Sequence, residues 1–211
     1  MAALVSIAPA AAQGRRDLLT QASFIDRDKP SALRNIQAVV AATERDASFE
    51  GRLLRATALG YRAKLTGSRG DLTASKKLFD TAVAVNPRNA EAQMGLGAWH
   101  IATLNRTGGL LGRVVGASRS VGIGALDKAV SIGGDRAFYS GLAALLRLKA
   151  NPKDARGRQL AEAAARAGAP TPLDKIMQRA ARAVLVPLRA GQTARTRATA
   201  QRLLPFGTFS E

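Results

Sequence analysis

Apolar residues return along this chain at intervals of three and four, and prolines and glycines cut the pattern into segments of helix length. A 3.6-residue period gathers such positions into one apolar stripe. Leu33, Ile36, Val39 and Val40 predict a helix over 31–43, started by Ser31 after Pro30, and Arg15 to Ile25 predict another before it. Leu54, Ala58, Tyr61 and Leu65, spaced 4, 3 and 4, predict a helix over about 49–65. A loop at Thr66–Gly70 and an N-cap at Asp71 lead into a helix with Leu72, Ser75, Leu78, Phe79, Ala82 and Val85 on one side. Asn86-Pro87 ends it, because proline cannot extend a helix and biases the residue before it away from helical angles.

The next helix is expected from Ala90 through Met94, Leu96, Gly97, Trp99 and Ile101, and its partner over 117–132 after a loop at 105–116. Two further helices are expected over 137–149 and 154–167, separated by Asn151-Pro152 and closed by Gly168-Ala169-Pro170. Thr171 as N-cap and Pro172 in the first turn open another, with Ile176, Ala180, Ala183 and Val184 as its apolar side and Val186-Pro187 ending or kinking it. Beyond Gly191 a basic, Thr-rich tail has room for one more short helix. No apolar run approaches the roughly 18 residues of a membrane span, so no transmembrane segment is expected.

Three spacings stand out. They are Leu54-x3-Ala58-x2-Tyr61, Ser75-x3-Phe79-x2-Ala82-x4-Pro87 and the pair Leu96-Gly97. Gly122-x3-Leu126-x2-Ala129 repeats the second, with Gly134 in the place of Pro87. This order of large, small, aromatic and proline positions resembles the tetratricopeptide repeat (TPR) in a degenerate form, over 50 to about 150 and more loosely over 30–170. In such a unit small Ala58 and Ser75 let paired helices approach, Tyr61 and Phe79 fill the space between them, and Ala82 lets the next unit dock. The resemblance implies an all-α fold, a right-handed α-solenoid of stacked helical hairpins, which binds proteins and carries no chemistry of its own. The expected organisation is a leader over 1–12, a helical pair over 13–48, repeats over 49–170, a capping helix over 171–190 and a basic tail over 191–211. The loops within both units are longer than in the family pattern.

Arg52, Arg55, Leu59 and Arg62 share a helical face distinct from that of Tyr61. The resemblance places them in a concave groove together with Glu91, Met94 and Ala98. Three arginines at helical spacing can grip the carboxylates of an acidic or extended peptide, or can simply form a solvated basic face. No Asn stands where the family's peptide-carboxylate clamp uses one.

Charge and composition narrow the function classes. The net charge is +17, and from Lys175 to Ser210 there are seven basic residues (Lys175, Arg179, Arg182, Arg189, Arg195, Arg197, Arg202) and no acid. Such a field attracts nucleic acid, anionic lipid or acidic protein. Aromatics at 4% leave little to stack on bases, so no specific nucleic-acid partner is expected, and a basic nucleic-acid-associated protein is kept as an alternative. The absence of Cys excludes disulfides, thiolate catalysis and Cys-ligated zinc. His100 is the single histidine, too few for a triad or a zinc site, and no carboxylate pair stands out, so no catalytic residue, metal ligand or cofactor is assigned and no enzyme is expected.

The stretch from Arg106 to Arg119 contains Gly108, Gly109, Gly112, Arg113 and Gly116. It suits a structural cover, a partner contact or a backbone anion site with Arg106, Arg113 and Arg119 supplying charge, but lacks the Gly-Lys-Ser/Thr ending of a P-loop. As a lid over a pocket it supports a further alternative, a small-molecule or lipid-binding helical protein. Ala2 to Ala12 resembles the end of a secretory signal peptide cleaved before Gln13, although without a basic n-region, and leads to the expectation of a periplasmic protein.

Overall fold

The computed structural model describes residues 8–209, and the side chains of all of these except 8–9 and 107–113. Among the described residues the chain is helical, with ten α-helices and no strand; one parallel β-bridge joins Arg136 and Gly168. By its own contacts the chain divides into two compact units, Met1–Leu78 and Phe79–Glu211.

The first unit holds α1 (Ala8–Phe24), α2 (Lys29–Ala42), α3 (Phe49–Thr66) and the start of α4 (Arg69–Val85). Helix α2 begins two residues earlier than expected, because Asp28 is its N-cap and accepts the Ser31 N–H, with Pro30 in the first turn. Its buried Ala32, Ile36 and Val39 pack between α1 and α3. Ser48 caps α3, and Gly67 stops it in the left-handed region (φ 78), where a Cβ would be strained. Only Gly67 and Ser68 separate α3 from α4, so the expected five-residue loop is two residues long. Ser68, not Asp71, caps α4: its Oγ accepts the Asp71 N–H at 3.2 Å. Buried Ser75 donates its hydroxyl to the Ala56 carbonyl at 2.7 Å, and a Cβ on Gly60 would lie 2.9 Å from the Ser75 Oγ. Small residues therefore set the α3–α4 crossing.

The second unit contains the end of α4, then α5 (Ala90–Val114), α6 (Arg119–Ile132), α7 (Ala137–Ala150), α8 (Ala155–Arg166), α9 (Pro172–Arg189) and α10 (Thr193–Leu203). Helix α5 is the main departure from expectation. It runs on through 105–114, so that most of the expected loop is helix. Its stop signal is Gly116, at φ 79, and Ser118 then caps α6. Helices α5 and α6 cross at Gly97 and Gly122. A Cβ on Gly97 would stand 2.8 Å from the Leu126 Cγ and 2.9 Å from the Gly122 carbonyl oxygen. The core is aliphatic, with Met94, Ile101, Leu126, Leu145, Leu148, Leu160 and Met177 almost fully enclosed.

Helix α7 is buried from Ser140 to Leu148 and packs against α8, α9 and α10. Thr171 and Asp174 form a capping box at the start of α9, and Pro172 sits in its first turn as the sequence predicts. Pro187 does not end α9, which continues to Arg189. The basic tail supplies α10, whose Thr196 and Ala200 are enclosed.

Candidate functional site

The four residues proposed for the groove on α3 differ in their surroundings. Arg52 is exposed. Arg55 is half-buried and donates from Nη1 to the Val40 carbonyl at 3.1 Å. Arg62 is held by Asp71, Nε to Oδ2 and Nη2 to Oδ1 both at 2.7 Å, a bidentate pair. That hydrogen bond lowers the Asp71 carboxyl below its ordinary value against the opposing effect of burial, and raises Arg62 further. Leu59 is only 4% exposed. This corrects the sequence-based groove: Arg62 is already occupied by a carboxylate of the chain, and Leu59 has no surface for a partner.

In the second unit Glu91 and Ala98 are half-buried on α5, whereas Met94 is 1% exposed and faces the core, so it too leaves the candidate contact set. Arg106 is exposed on α5 and Arg119 is the exposed first residue of α6. Gly108, Gly109 and Arg113 lie in the helical backbone of α5, and their side chains fall outside the described residues. The loop expected over 105–116, read as a lid in the small-molecule alternative, is therefore corrected to the final turns of a helix followed by a short turn.

His100 is 3% exposed. Its Nδ1 accepts the Ser118 backbone N–H at 3.1 Å, and its ring meets Trp99 edge-on at 5.1 Å. An accepting Nδ1 places the ring proton on Nε2, so the imidazole anchors the residue that caps α6. Among the described residues no group of three or more His, Cys, Asp or Glu is arranged to hold a metal.

The carboxylates bind the chain to itself. Asp46 accepts Ser48 N–H and O–H and the Arg15 guanidinium at 3.0 Å; the Ser48 hydrogen bonds, outweighing burial, lower its pKa. Asp174 is fully enclosed. Burial raises its pKa, but hydrogen bonds from Thr171, Arg136 and the Phe138 N–H prevail and leave it lowered. Arg147, 8% exposed, reaches Asp127 at 2.7 Å and Asp154 at 3.2 Å, while Asp154 also caps α8. Asp46, Asp71 and Asp174, each lowered below its ordinary value, are poorly matched to proton donation near neutrality.

The cations of α9 are arranged differently. Its buried side carries Asp174, Met177, Ala180, Ala181, Val184 and Leu185. At 100° per residue Lys175, Arg179, Arg182, Val186 and Arg189 fall within one stripe on the opposite side, and all five are exposed. Arg182 donates from Nε to the Ala165 carbonyl at 3.2 Å. The sequence showed the excess of cations, but their alignment emerges only when the exposed side of α9 is traced through Pro187. On the same unit, two open hollows of about 380 and 360 Å³ lie beside the α7–α8 connection and the start of α10. Lys153 lines both, with Arg197 in the first and Arg158 in the second.

No protein-family model, curated protein or solved structure matches the chain.

Proposed function

We propose that this chain is a non-enzymatic, TPR-like protein-interaction module, a right-handed solenoid that binds an acidic or extended segment of a partner protein. The observation that carries this reading is the separation of charge. Asp46, Asp71, Asp127, Asp154 and Asp174 pair with arginines of the chain, while Arg52, Arg179, Arg189, Arg195, Arg197 and Arg202 face solvent in a molecule of net charge +17. A field of that sign speeds the encounter with acidic partners and disfavours basic ones.

The helix crossings support the repeat character. Gly122 occupies the place in its motif that Ser75 occupies in the preceding one. Each lies close against a glycine on the helix before it: a Cβ on Gly60 would stand 2.9 Å from the Ser75 Oγ, and one on Gly97 would stand 2.9 Å from the Gly122 carbonyl oxygen. Small residues recurring at the same place in two hairpins are what stacked helical repeats require.

The test is anisotropy titration of the full chain with a labelled oligoglutamate peptide and an oligolysine control at about 0.15 M salt. Saturable binding of the acidic peptide alone is expected, and no saturable binding would refute the module. Export to the periplasm, suggested by Ala2–Ala12, belongs to the same proposal. Fractionation and N-terminal sequencing check it: a periplasmic chain beginning at Gln13 supports export, and an unprocessed cytoplasmic chain refutes it.

A further inference from the structure

We infer that the exposed stripe of α9 is a docking surface for an acidic amphipathic helix of a partner protein. This rests on the acidic-partner reading above and moves its principal contact from α3 to α9. Lys175, Arg179, Arg182, Val186 and Arg189 follow one another at intervals of 4, 3, 4 and 3, the alternation that forms the seam between two packed helices. The stripe is roughly 21 Å long at 1.5 Å per residue, about two heptads of a partner.

Three observations select the occupant. First, no acidic residue occurs from 175 to 209, so the neighbouring sequence supplies no competing carboxylate. Lys175, Arg179 and Arg189 make no ion pair among the described residues, unlike Arg62, Arg136 and Arg147. Second, the stripe is not purely ionic. Val186 is 67% exposed within it, and half-buried Ile176 and Ala183 run along one edge by helical phase. A cationic row beside an apolar shoulder complements a helix with an acidic row beside an apolar one. A phosphate backbone has charge to offer this surface but nothing for the shoulder. Third, the stripe has no aromatic or leucine to enter a bilayer, which separates it from a membrane-seeking helix.

The closing experiment uses the full chain and a labelled helical peptide of roughly two heptads, with Glu at the seam positions and Leu along one edge. A scrambled peptide of the same composition, a DNA duplex and vesicles containing phosphatidylglycerol serve as competitors. The patterned peptide is expected to bind about tenfold tighter than the scrambled one. Arg179→Glu with Arg189→Glu should weaken it by a further factor of about ten or more, because each change turns an attraction into a repulsion. Both residues are exposed and make no ion pair among the described residues, so circular dichroism and the urea midpoint should not move, and Lys175→Glu with Arg179→Glu repeats the test on a second pair.

Equal binding of patterned and scrambled peptides overturns the inference, as does tighter binding of DNA or vesicles at about 0.15 M salt. If Arg52→Ala with Arg55→Ala abolishes capture while the α9 variants bind normally, α9 is refuted and the acidic-partner module survives. If neither peptide nor oligoglutamate binds, the module itself falls.

Discussion

Asp174→Asn isolates the junction between the starts of α7 and α9. The carboxylate accepts the Phe138 N–H at 3.0 Å on Oδ1. On Oδ2 it accepts the Thr171 hydroxyl at 2.6 Å, the Thr171 N–H at 3.2 Å and Arg136 at 2.9 Å. Asparagine keeps the shape but has one acceptor oxygen, so its NH2 must face a donor on one side or the other. A buried N–H or O–H left without an acceptor costs about 1–3 kcal/mol. The lost ion pair adds less than about 1 kcal/mol, because the Arg136 side chain is 37% exposed and water can take over its solvation. The expected loss is therefore about 1–4 kcal/mol at pH 7. Trp99, the single tryptophan and 5% exposed, reports on the same unit by fluorescence during urea unfolding. Because the folded pKa of Asp174 lies below its ordinary 3.8, its contribution is fully present above 3.8 and is lost as pH falls through the folded value. The gap between the native chain and the variant should hold from pH 7 to about 4 and close below it. An unchanged urea midpoint at pH 7, or a gap that widens in acid, would refute the reasoning.

Gly97→Ala should destabilise by about 1–3 kcal/mol despite alanine's better helix propensity, since its Cβ would meet Leu126 and the Gly122 carbonyl; a raised melting temperature would contradict the close crossing. Arg147→Met should cost about 1–2 kcal/mol by urea titration, less than a fully enclosed pair, because Asp127 is 41% exposed and the Arg147 Nε is buried with no acceptor among the described residues. His100→Phe removes the acceptor of the Ser118 N–H, with an expected loss of about 1–3 kcal/mol and faster amide exchange at the start of α6; unchanged exchange there would show that His100 does not anchor the cap. Arg62→Ala should leave oligoglutamate binding unchanged while lowering stability by about 1 kcal/mol or less, and weaker binding would return Arg62 to the contact surface.

Helix existence and the cap at Thr171 were legible because they depend on local chemistry, whereas the caps of α2 and α4 fell at Asp28 and Ser68 instead of Ser31 and Asp71. Thr171-Pro172, Asn86-Pro87 and the stripe of α2 all act within a turn or two of themselves. The end of α5 was not, because Gly108, Gly109 and Gly112 read as breakers. Glycine within a helix costs only about 1 kcal/mol, whereas Gly116, with its positive φ, provides the actual stop. Two features of α3 placed Leu59 and Arg62 differently from the expected groove. Helix α3 buries residues around much of its circumference, from Leu53 and Leu54 to Ala58 and Leu59, so a face set by one apolar stripe cannot be told from its neighbour. The pairing of Arg62 with Asp71 depends on a two-residue connection, which a five-residue loop concealed. On α9 the cations line up only because the helix continues through Pro187, a residue that otherwise signals an end or a kink.

The inward pairing of carboxylates also bears on how the molecule would come apart in acid. Asp46, Asp71 and Asp174 each neutralise an arginine on another segment of the chain, and all three titrate below their ordinary value. A proton taken up at any of them would remove a cross-link and unmask the guanidinium of Arg15, Arg62 or Arg136. Loosening and rising positive charge would then feed each other, which makes for a steep acid transition with several protons taken up together. The chain released at its end would carry more than the +17 it holds at neutrality, and strands of such charge repel rather than coalesce. Acid should therefore leave a dispersed, refoldable chain, and neutral pH should restore the pairs.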